Sequence, residues 1–214
     1  CLSVDGSYAF TGYISSNEAF VWDVKSNRKL RSLIGHKFSV LSAAFSPAEY
    51  ANGLVTSSLD RVTRVWNYGT GELLVEIRRQ KFMVSCVSYS PNGKDIVTGT
   101  SNGQIKVWDA QNGLMKVKAK SHGEYVNGVC HSKDGKYFAS ASEDKTARVY
   151  DAETGKILTV IKDHNTSIRC ISFLDNSTKI ATGGEDGNVM IFDLTPVDSP
   201  DEPYRKKLKF SKDK

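Results

Sequence analysis

Apolar residues along most of the chain fall in short runs that alternate with polar positions and end at turn residues. Between residues 126 and 161, the runs are Val126 to His131, Tyr137 to Ala141, Thr146 to Asp151 and Lys156 to Ile161. Alternating runs rich in Val, Ile, Phe and Tyr are typical of β-strands. Gly-containing segments between runs fit hairpin turns, because Gly tolerates a positive φ. The pattern predicts an all-β chain.

The pattern recurs on a fixed step along the sequence. An aromatic residue followed by Asp or Asn occurs five times, at spacings of 44, 42, 42 and 42 residues: Trp22-Asp23, Trp66-Asn67, Trp108-Asp109, Tyr150-Asp151 and Phe192-Asp193. A period of about 40 to 45 residues is typical of four-stranded propeller blades. We therefore divide the chain into units 1–34, 35–78, 79–120, 121–162 and 163–193, followed by a tail, 194–214.

Other polar positions keep the same step. A small hydroxyl residue lies ten residues before the aromatic in four units: Thr56, Thr98, Ser140 and Thr182. Asp or Asn lies six before it: Asp60, Asn102, Asp144 and Asp186. Gln80, His122 and His164 lie 28 before it, and His36 is displaced by two because of extra residues around 48–52.

These residues resemble the WD-repeat (WD40) β-propeller family over nearly the whole chain to about Asp193. The resemblance implies a hydrogen-bonded tetrad in each blade, since a buried imidazole needs partners for both nitrogens. The implied tetrads are His36, Thr56, Asp60 and Trp66; His122, Ser140, Asp144 and Tyr150; and His164, Thr182 and Asp186 with Phe192. Because Gln80 and Asn102 replace His and Asp, and Phe192 cannot donate, the third and fifth tetrads are predicted to be weak or absent.

The ends of the chain bear on how many blades to expect. Cys1 aligns with Cys130, in the middle of a predicted strand, and open sheet edges are templates for aggregation. We expect about five four-stranded blades, the first clipped, within a propeller of seven or more. The tail has an acidic, Pro-containing part and then a basic part, Tyr204 to Lys212. Alternation in Lys206 to Phe210 could supply the last strand of the fifth unit.

No catalytic chemistry is predicted. Ser, His and Asp recur at equivalent positions of successive units, whereas a catalytic site is normally built once. The sequence has no nucleophile elbow, zinc-binding His pair or phosphate-cradling Gly loop. We therefore predict no enzyme activity, no catalytic residue, no metal, no cofactor and no small-molecule substrate.

Composition gives a broad setting for the protein. Hydrophobic residues make up 39% of the chain, charged residues 25%, and the net charge is +5. No apolar run approaches the ~20 residues of a membrane-spanning helix, so no membrane association is expected. The cysteines form no metal-type pairs and fit small apolar strand positions, which favours a reducing intracellular compartment. We expect a cytoplasmic protein, with nuclear, ciliary and cytoskeletal settings left open.

The loops before the first strands of the units carry large apolar and basic residues. Phe38 and Phe82 occupy equivalent positions, and Met83 and Tyr125 occupy the next one. Lys37 and Lys81 precede the two phenylalanines. Exposed aromatic residues are enriched at interface hot spots, so these six are the predicted partner-binding residues. The alternative, that the aromatic side chains pack inward under the loops, carries equal weight here.

Three functions fit this reading. The leading one is a protein–protein interaction scaffold or adaptor in a multi-subunit assembly, which the family resemblance implies. The second is a nucleic-acid or ribonucleoprotein component, of ribosome-assembly type, that uses the basic tail. The third is a substrate receptor of a ubiquitin ligase, which rests on Trp22-Asp23-Val24-Lys25, a loose version of a docking box that lacks the expected Arg.

Overall fold

The structure is a computed structural model that describes residues 1–12, 17–47, 52–78, 80–174, 178–194 and, for the backbone only, 205–210. Within these ranges the regular structure is entirely strand, arranged as five antiparallel sheets. The first sheet contains β1 (Tyr8–Gly12), β2 (Ala19–Asp23) and β3 (Arg28–Ser32). The second contains β4 (Val40–Phe45), β5 (Gly53–Ser58), β6 (Thr63–Asn67) and β7 (Leu73–Ile77).

Three further sheets repeat this arrangement. The third contains β8 (Val84–Tyr89), β9 (Asp95–Thr100), β10 (Ile105–Asp109) and β11 (Met115–Ala119). The fourth contains β12 (Val126–His131), β13 (Tyr137–Ser142), β14 (Ala147–Asp151) and β15 (Ile157–Ile161). The fifth contains β16 (Ile168–Phe173), β17 (Lys179–Gly184), β18 (Val189–Asp193) and β19 (Arg205–Phe210). The prediction of an all-β chain built from WD-type blades is confirmed.

The two terminal sheets differ from the three between them. The first has three strands. A single antiparallel bridge between Leu2 and Ala9 of β1 lies where the other sheets have a fourth strand. The fifth gains its outer strand from the tail, because β19 pairs antiparallel with β18. The fifth sheet therefore includes residues beyond the predicted unit 163–193, and the segment that the alternation suggested as its last strand lies within β19.

The sheets adjoin through their first strands. β4, β8, β12 and β16 contact one another in chain order, and residues at equivalent registers meet. The Ser85 hydroxyl donates to the Val126 carbonyl oxygen at 2.6 Å, and the Asn127 amide donates to the Ile168 carbonyl oxygen at 2.9 Å. Further along the same pair of strands, the Ser88 hydroxyl lies 3.2 Å from His131 Nδ1. The contacts therefore advance in the same sense along β8 and β12, and the two strands run in the same direction. The loops before the first strands therefore open at one end of the sheets.

The hydrophobic core lies between neighbouring sheets. Between the third and fourth, the rings of Phe138 and Tyr150 stack with centroids 4.7 Å apart, beside Val97 and Val126. Between the second and third, Trp108 and Ile96 pack with residues of β6 and β7. Burial of each such side chain contributes about 1.5 to 3 kcal/mol, so contact between sheets contributes substantially to stability.

The described ranges bear on three features considered in the sequence: the cysteines, membrane-spanning helices and metal ligands. All four cysteines are free, with Cys86 buried and Cys170, at the same repeat position, exposed. No helix in the described part of the chain is long and apolar enough to span a bilayer. The same ranges contain no group of three or more His, Cys, Asp or Glu side chains able to hold a metal ion.

Candidate functional site

The second sheet holds its loops with a buried network centred on His36. The imidazole Nδ1 lies 3.0 Å from Asp60 Oδ2, and Nε2 lies 2.8 Å from the Thr56 hydroxyl. That hydroxyl also accepts the indole N–H of Trp66 at 2.8 Å. Arg64 donates to Asp60 at 2.9 Å and pairs with Glu76 at 2.7 Å. The implied tetrad is thus present in this sheet, with an ion pair added to it.

Burial and hydrogen bonding act in opposite directions on the pKa of Asp60. Burial alone would raise the pKa of its carboxyl, but hydrogen bonds from His36, the Lys37 backbone N–H and Arg64 hold that pKa well below its usual value. Asp60 therefore carries a negative charge when folded and fixes the backbone of the loop before β4 through Lys37.

The fourth sheet has a related network with a different aromatic end. His122 Nδ1 lies 2.8 Å from Asp144 Oδ2, and Nε2 lies 2.6 Å from the Ser140 hydroxyl. The Tyr150 hydroxyl lies 3.4 Å from the Ser140 hydroxyl and donates to the Lys120 carbonyl oxygen at 3.1 Å. Burial lowers the pKa of His122, against the opposing effect of Asp144, so the imidazole is neutral at pH 7.

Ser140, His122 and Asp144 resemble a catalytic triad, but a substrate cannot reach them as it reaches a catalytic serine. Ser140 is fully buried, so no substrate carbonyl can approach its hydroxyl. His36, Thr56 and Asp60 form the same arrangement in the second sheet. The arrangement instead holds a loop in place.

The third and fifth sheets depart from this network where the sequence departs. In the third, the Trp108 indole donates to the Thr98 hydroxyl at 2.9 Å, and Gln80 donates to Thr63 of the second sheet at 2.9 Å. In the fifth, His164 Nε2 lies 2.7 Å from the Thr182 hydroxyl, while the ring of Phe192 carries no donor. The third sheet thus keeps the Trp–Thr bond without the His–Asp pair.

A backbone hydrogen bond ties the loop before each first strand to the turn between the second and third strands. The four equivalent bonds are Leu59 N–H to Ser39 O at 3.1 Å, Ser101 N–H to Met83 O at 3.0 Å, Glu143 N–H to Tyr125 O at 2.9 Å and Glu185 N–H to Ser167 O at 2.9 Å. Both kinds of loop therefore lie at the same end of each sheet. We call this end the loop face.

The predicted partner-binding residues all lie on the loop face but differ in exposure. Phe38 is 60% exposed and Phe82 is 37% exposed, so neither ring packs fully under its loop. Lys37 and Lys81 are exposed, whereas Met83 and Tyr125 are half-buried. The two phenylalanines belong to neighbouring sheets whose first strands contact each other.

Sequence reasoning missed a further exposed apolar residue, in the same loop as Phe38. Ile34, in the loop before β4, is 85% exposed. It lies 12 residues after Trp22, where the next three units have Arg78, Lys120 and Lys162. That contrast in the aligned units is a signal that could have identified it.

Charges on the loop face partly cancel. Arg169 bridges two carboxylates, at 2.9 Å from Glu143 and 2.8 Å from Glu185, and these three residues join the fourth and fifth sheets. In the second and third sheets, Lys37 and Lys81 have no such neutralisation among the described ion pairs. The basic side of the face therefore coincides with its exposed phenylalanines.

Some features of the sequence lie outside the described residues. Residues 48–51, within the insertion of the second unit, are among them, as are 195–204 and 211–214. The side chains of the basic tail segment, Tyr204 to Lys212, are likewise outside, so the nucleic-acid hypothesis for the tail stays a prediction.

Comparison with known proteins gives partial matches to several curated relatives. The chain is 31% identical over 93 residues to GID complex subunit 7 of Schizosaccharomyces pombe, covering 42% of this chain and 18% of that protein. It is 31% identical over 100 residues to Periodic tryptophan protein 2 homolog of Dictyostelium discoideum, covering 45% and 10% respectively. Autophagy-related protein 16 of Arabidopsis thaliana is 32% identical over 78 residues, covering 36% and 15%. The chain thus matches less than a fifth of the length of each of these relatives.

A family model matches much more of the chain. The model described as WD domain, G-beta repeat matches residues 27–67, 71–109, 115–151 and 155–193. These four matches are offset from the sheets because each begins near an outer strand and ends at the aromatic-Asp or aromatic-Asn pair of the next unit. Proteins built from this repeat generally mediate protein–protein interactions. The chain belongs to the WD domain, G-beta repeat family.

Proposed function

We propose that the chain is a non-catalytic scaffold or adaptor that binds another protein of a multi-subunit intracellular complex through its loop face. The observation that carries this proposal is the exposure of Phe38 and Phe82 at equivalent positions of two neighbouring sheets. Large apolar side chains at fixed, adjacent positions provide the desolvated anchors from which interface hot spots are built.

The loops that present these anchors are held by buried networks. Asp60 accepts the backbone N–H of Lys37, next to Phe38, and Ser101 bonds to the carbonyl of Met83, next to Phe82. Anchors that are already ordered lose less conformational entropy on binding. The fold therefore favours a preformed docking surface.

The basic side of the loop face favours an acidic rim on the partner. Lys37 and Lys81 precede the phenylalanines and are exposed, so the side-chain charges next to the two rings in the sequence are positive. Rim charges of this kind change the association rate more than the affinity. The name of one relative, GID complex subunit 7, is that of a complex subunit and supports the general setting.

The experiment is quantitative affinity purification of the full-length protein and of a Phe38→Ser, Phe82→Ser double variant. Partners that dock on the loop face should be lost from the variant. The control is the double variant Leu73→Ser, Leu158→Ser, which removes equally exposed apolar residues from outer strands. Photo-crosslinking from position 38, compared with position 158, identifies the partner directly. Retention of every partner by the Phe variant would overturn the proposal.

A further inference from the structure

A cavity of about 350 Å³ opens on the third sheet, on the face that carries the Trp108 ring. Three lysines line it, Lys81, Lys106 and Lys118. The exposed side chains of Leu114 and Met115 form an apolar wall beside them. No carboxylate is among the described residues that line the cavity.

Lys106 is the most informative residue of this cavity. It is only 8% exposed, and yet it forms no ion pair in the described part of the chain. Its ammonium nitrogen lies 5.5 Å from the centroid of the Trp108 ring, an arrangement that gives a cation–π contact. A buried cation normally has an anionic partner, since desolvation of an unpaired charge is costly. Among the described contacts, the Trp108 ring is thus the group that faces this charge, and no carboxylate does.

The second sheet has an ion pair at the positions equivalent to this cavity. Arg64 stands at the position of Lys106, two residues before the Trp, and reaches both Asp60 and Glu76. In the third sheet these two carboxylates are replaced by Asn102 and Lys118. Lys118 lies directly opposite Lys106 in the pairing of β10 with β11.

The electrostatics of the cavity follow from these replacements. Burial lowers the pKa of Lys106, and the nearby charges of Lys118 and Lys81 lower it further. Lys118 and Lys81 thus each repel Lys106, and an anion placed among them would relieve that repulsion.

We propose that this cavity binds a phosphate monoester dianion together with the apolar group that carries it. A phosphate monoester has a charge of about −1.5 to −2 at pH 7, which compensates most of three ammonium groups, whereas a single carboxylate would leave two uncompensated. Lysine ammonium groups bind phosphate as point charges and need no fixed fork geometry. Leu114 and Met115 supply the surface for the carrier.

Two sources offer this chemistry, a phosphorylated side chain of a partner protein and a free phosphorylated small molecule. Isothermal titration of the full-length protein with phenyl phosphate and with the peptide acetyl-Leu-phosphoSer-Leu-amide distinguishes them. Tighter binding of the peptide, by tenfold or more, assigns the site to a partner's side chain. Equal binding assigns it to a free phosphate monoester.

The test variant is Lys118→Glu, which gives Lys106 the partner that Arg64 has in the second sheet. It should raise the unfolding temperature while weakening both probes at least tenfold, so loss of binding cannot be attributed to loss of the fold. Lys133→Glu, with the same charge change in an exposed turn, should bind as the unaltered protein does. Lys106→Arg, which keeps the charge, should retain binding.

Three results would overturn the proposal. They are failure of both probes to bind, equal binding of the unphosphorylated peptide, and equal weakening by Lys118→Glu and Lys133→Glu. Phe38, Phe82 and Lys81, the last of which also lines the cavity, are unchanged in these variants, so docking on the loop face can be tested separately.

Discussion

The second and third sheets have equivalent strands in the same register, but buried charge is compensated in the second and not in the third. In the second, His36, Asp60, Arg64 and Glu76 form a network whose charges compensate one another. In the third, Gln80, Asn102, Lys106 and Lys118 stand at the corresponding positions and leave positive charge without a described partner. Both sheets keep the Trp–Thr hydrogen bond. Packing and the Trp–Thr bond therefore suffice for a blade, and the remaining polar positions can be changed to serve another purpose.

The largest expected effect comes from Asp60→Ala in the second sheet. The change leaves Arg64 and His36 buried with one acceptor fewer, and breaking a buried ion pair costs about 3 to 5 kcal/mol of the free energy of unfolding. The matched variant Asn102→Ala in the third sheet removes an acceptor for the Thr100 hydroxyl, which lies 2.9 Å away, and should cost about 1 kcal/mol. Urea unfolding at pH 7 measures both. Equal losses would show that the two sheets do not differ in this way.

A second contrast lies in the turn after these positions, where the second sheet has Arg61 and the third has Gly103. Both have positive φ, 66° and 84°. A Cβ on Gly103 would lie 2.3 Å from the carbonyl oxygen of His122, so Gly103→Arg should cost about 3 kcal/mol. In Arg61→Gly, relief of about 1 kcal/mol of left-handed strain is offset by about 0.5 to 1 kcal/mol of backbone entropy. Thermal unfolding should therefore separate the variants clearly, and a similar midpoint for both would contradict the close approach of the third and fourth sheets.

The sequence predicts the repeated features of this fold well and the individual ones poorly. Val126–His131 is a strand with the bounds that alternation predicts, because period-two patterning and turn residues are local signals. The His122–Asp144 pair follows from the family resemblance together with the repeat spacing.

Features that depend on contacts between separate segments could not be predicted from local patterns. The exposure of Phe38 depends on how its loop packs against the sheet. The sequence therefore does not distinguish an inward from an outward orientation of its side chain. The cavity at Lys106 depends on which residue of β11 lies opposite it, and a register shift between Val107 and Trp108 affects that pairing. Comparison of each aligned position across units, as for Lys118 against Glu76, would have indicated the missing carboxylate.

The smallest expected effect is a pH dependence of the free energy of unfolding. It distinguishes the two interfaces that the third sheet forms, one with the second sheet and one with the fourth. Tyr89 in β8 and His131 in β12 occupy equivalent positions, and the His131 Nδ1 lies 3.2 Å from the Ser88 hydroxyl. Burial lowers the pKa of His131 to about 4, against the opposing charge of Asp95. Since the pKa in the unfolded chain is about 6.5, protonation favours unfolding, and this contribution to stability is present above pH 6.5 and lost as the pH falls toward 4.

The free energy of unfolding should therefore fall by about 1 to 2 kcal/mol between pH 7 and pH 5 through this residue. His131→Gln, which keeps a polar group near Ser88 but cannot titrate, should reduce the fall by that amount. His122, whose pKa is also lowered, contributes in the same direction in both proteins and cancels in the difference. Denaturant unfolding at pH 7, 6 and 5 measures the effect. An identical pH dependence in the two proteins would mean that His131 is already accessible to protons when the third and fourth sheets are packed together, and that this interface is no more sensitive to acid than the one containing Tyr89.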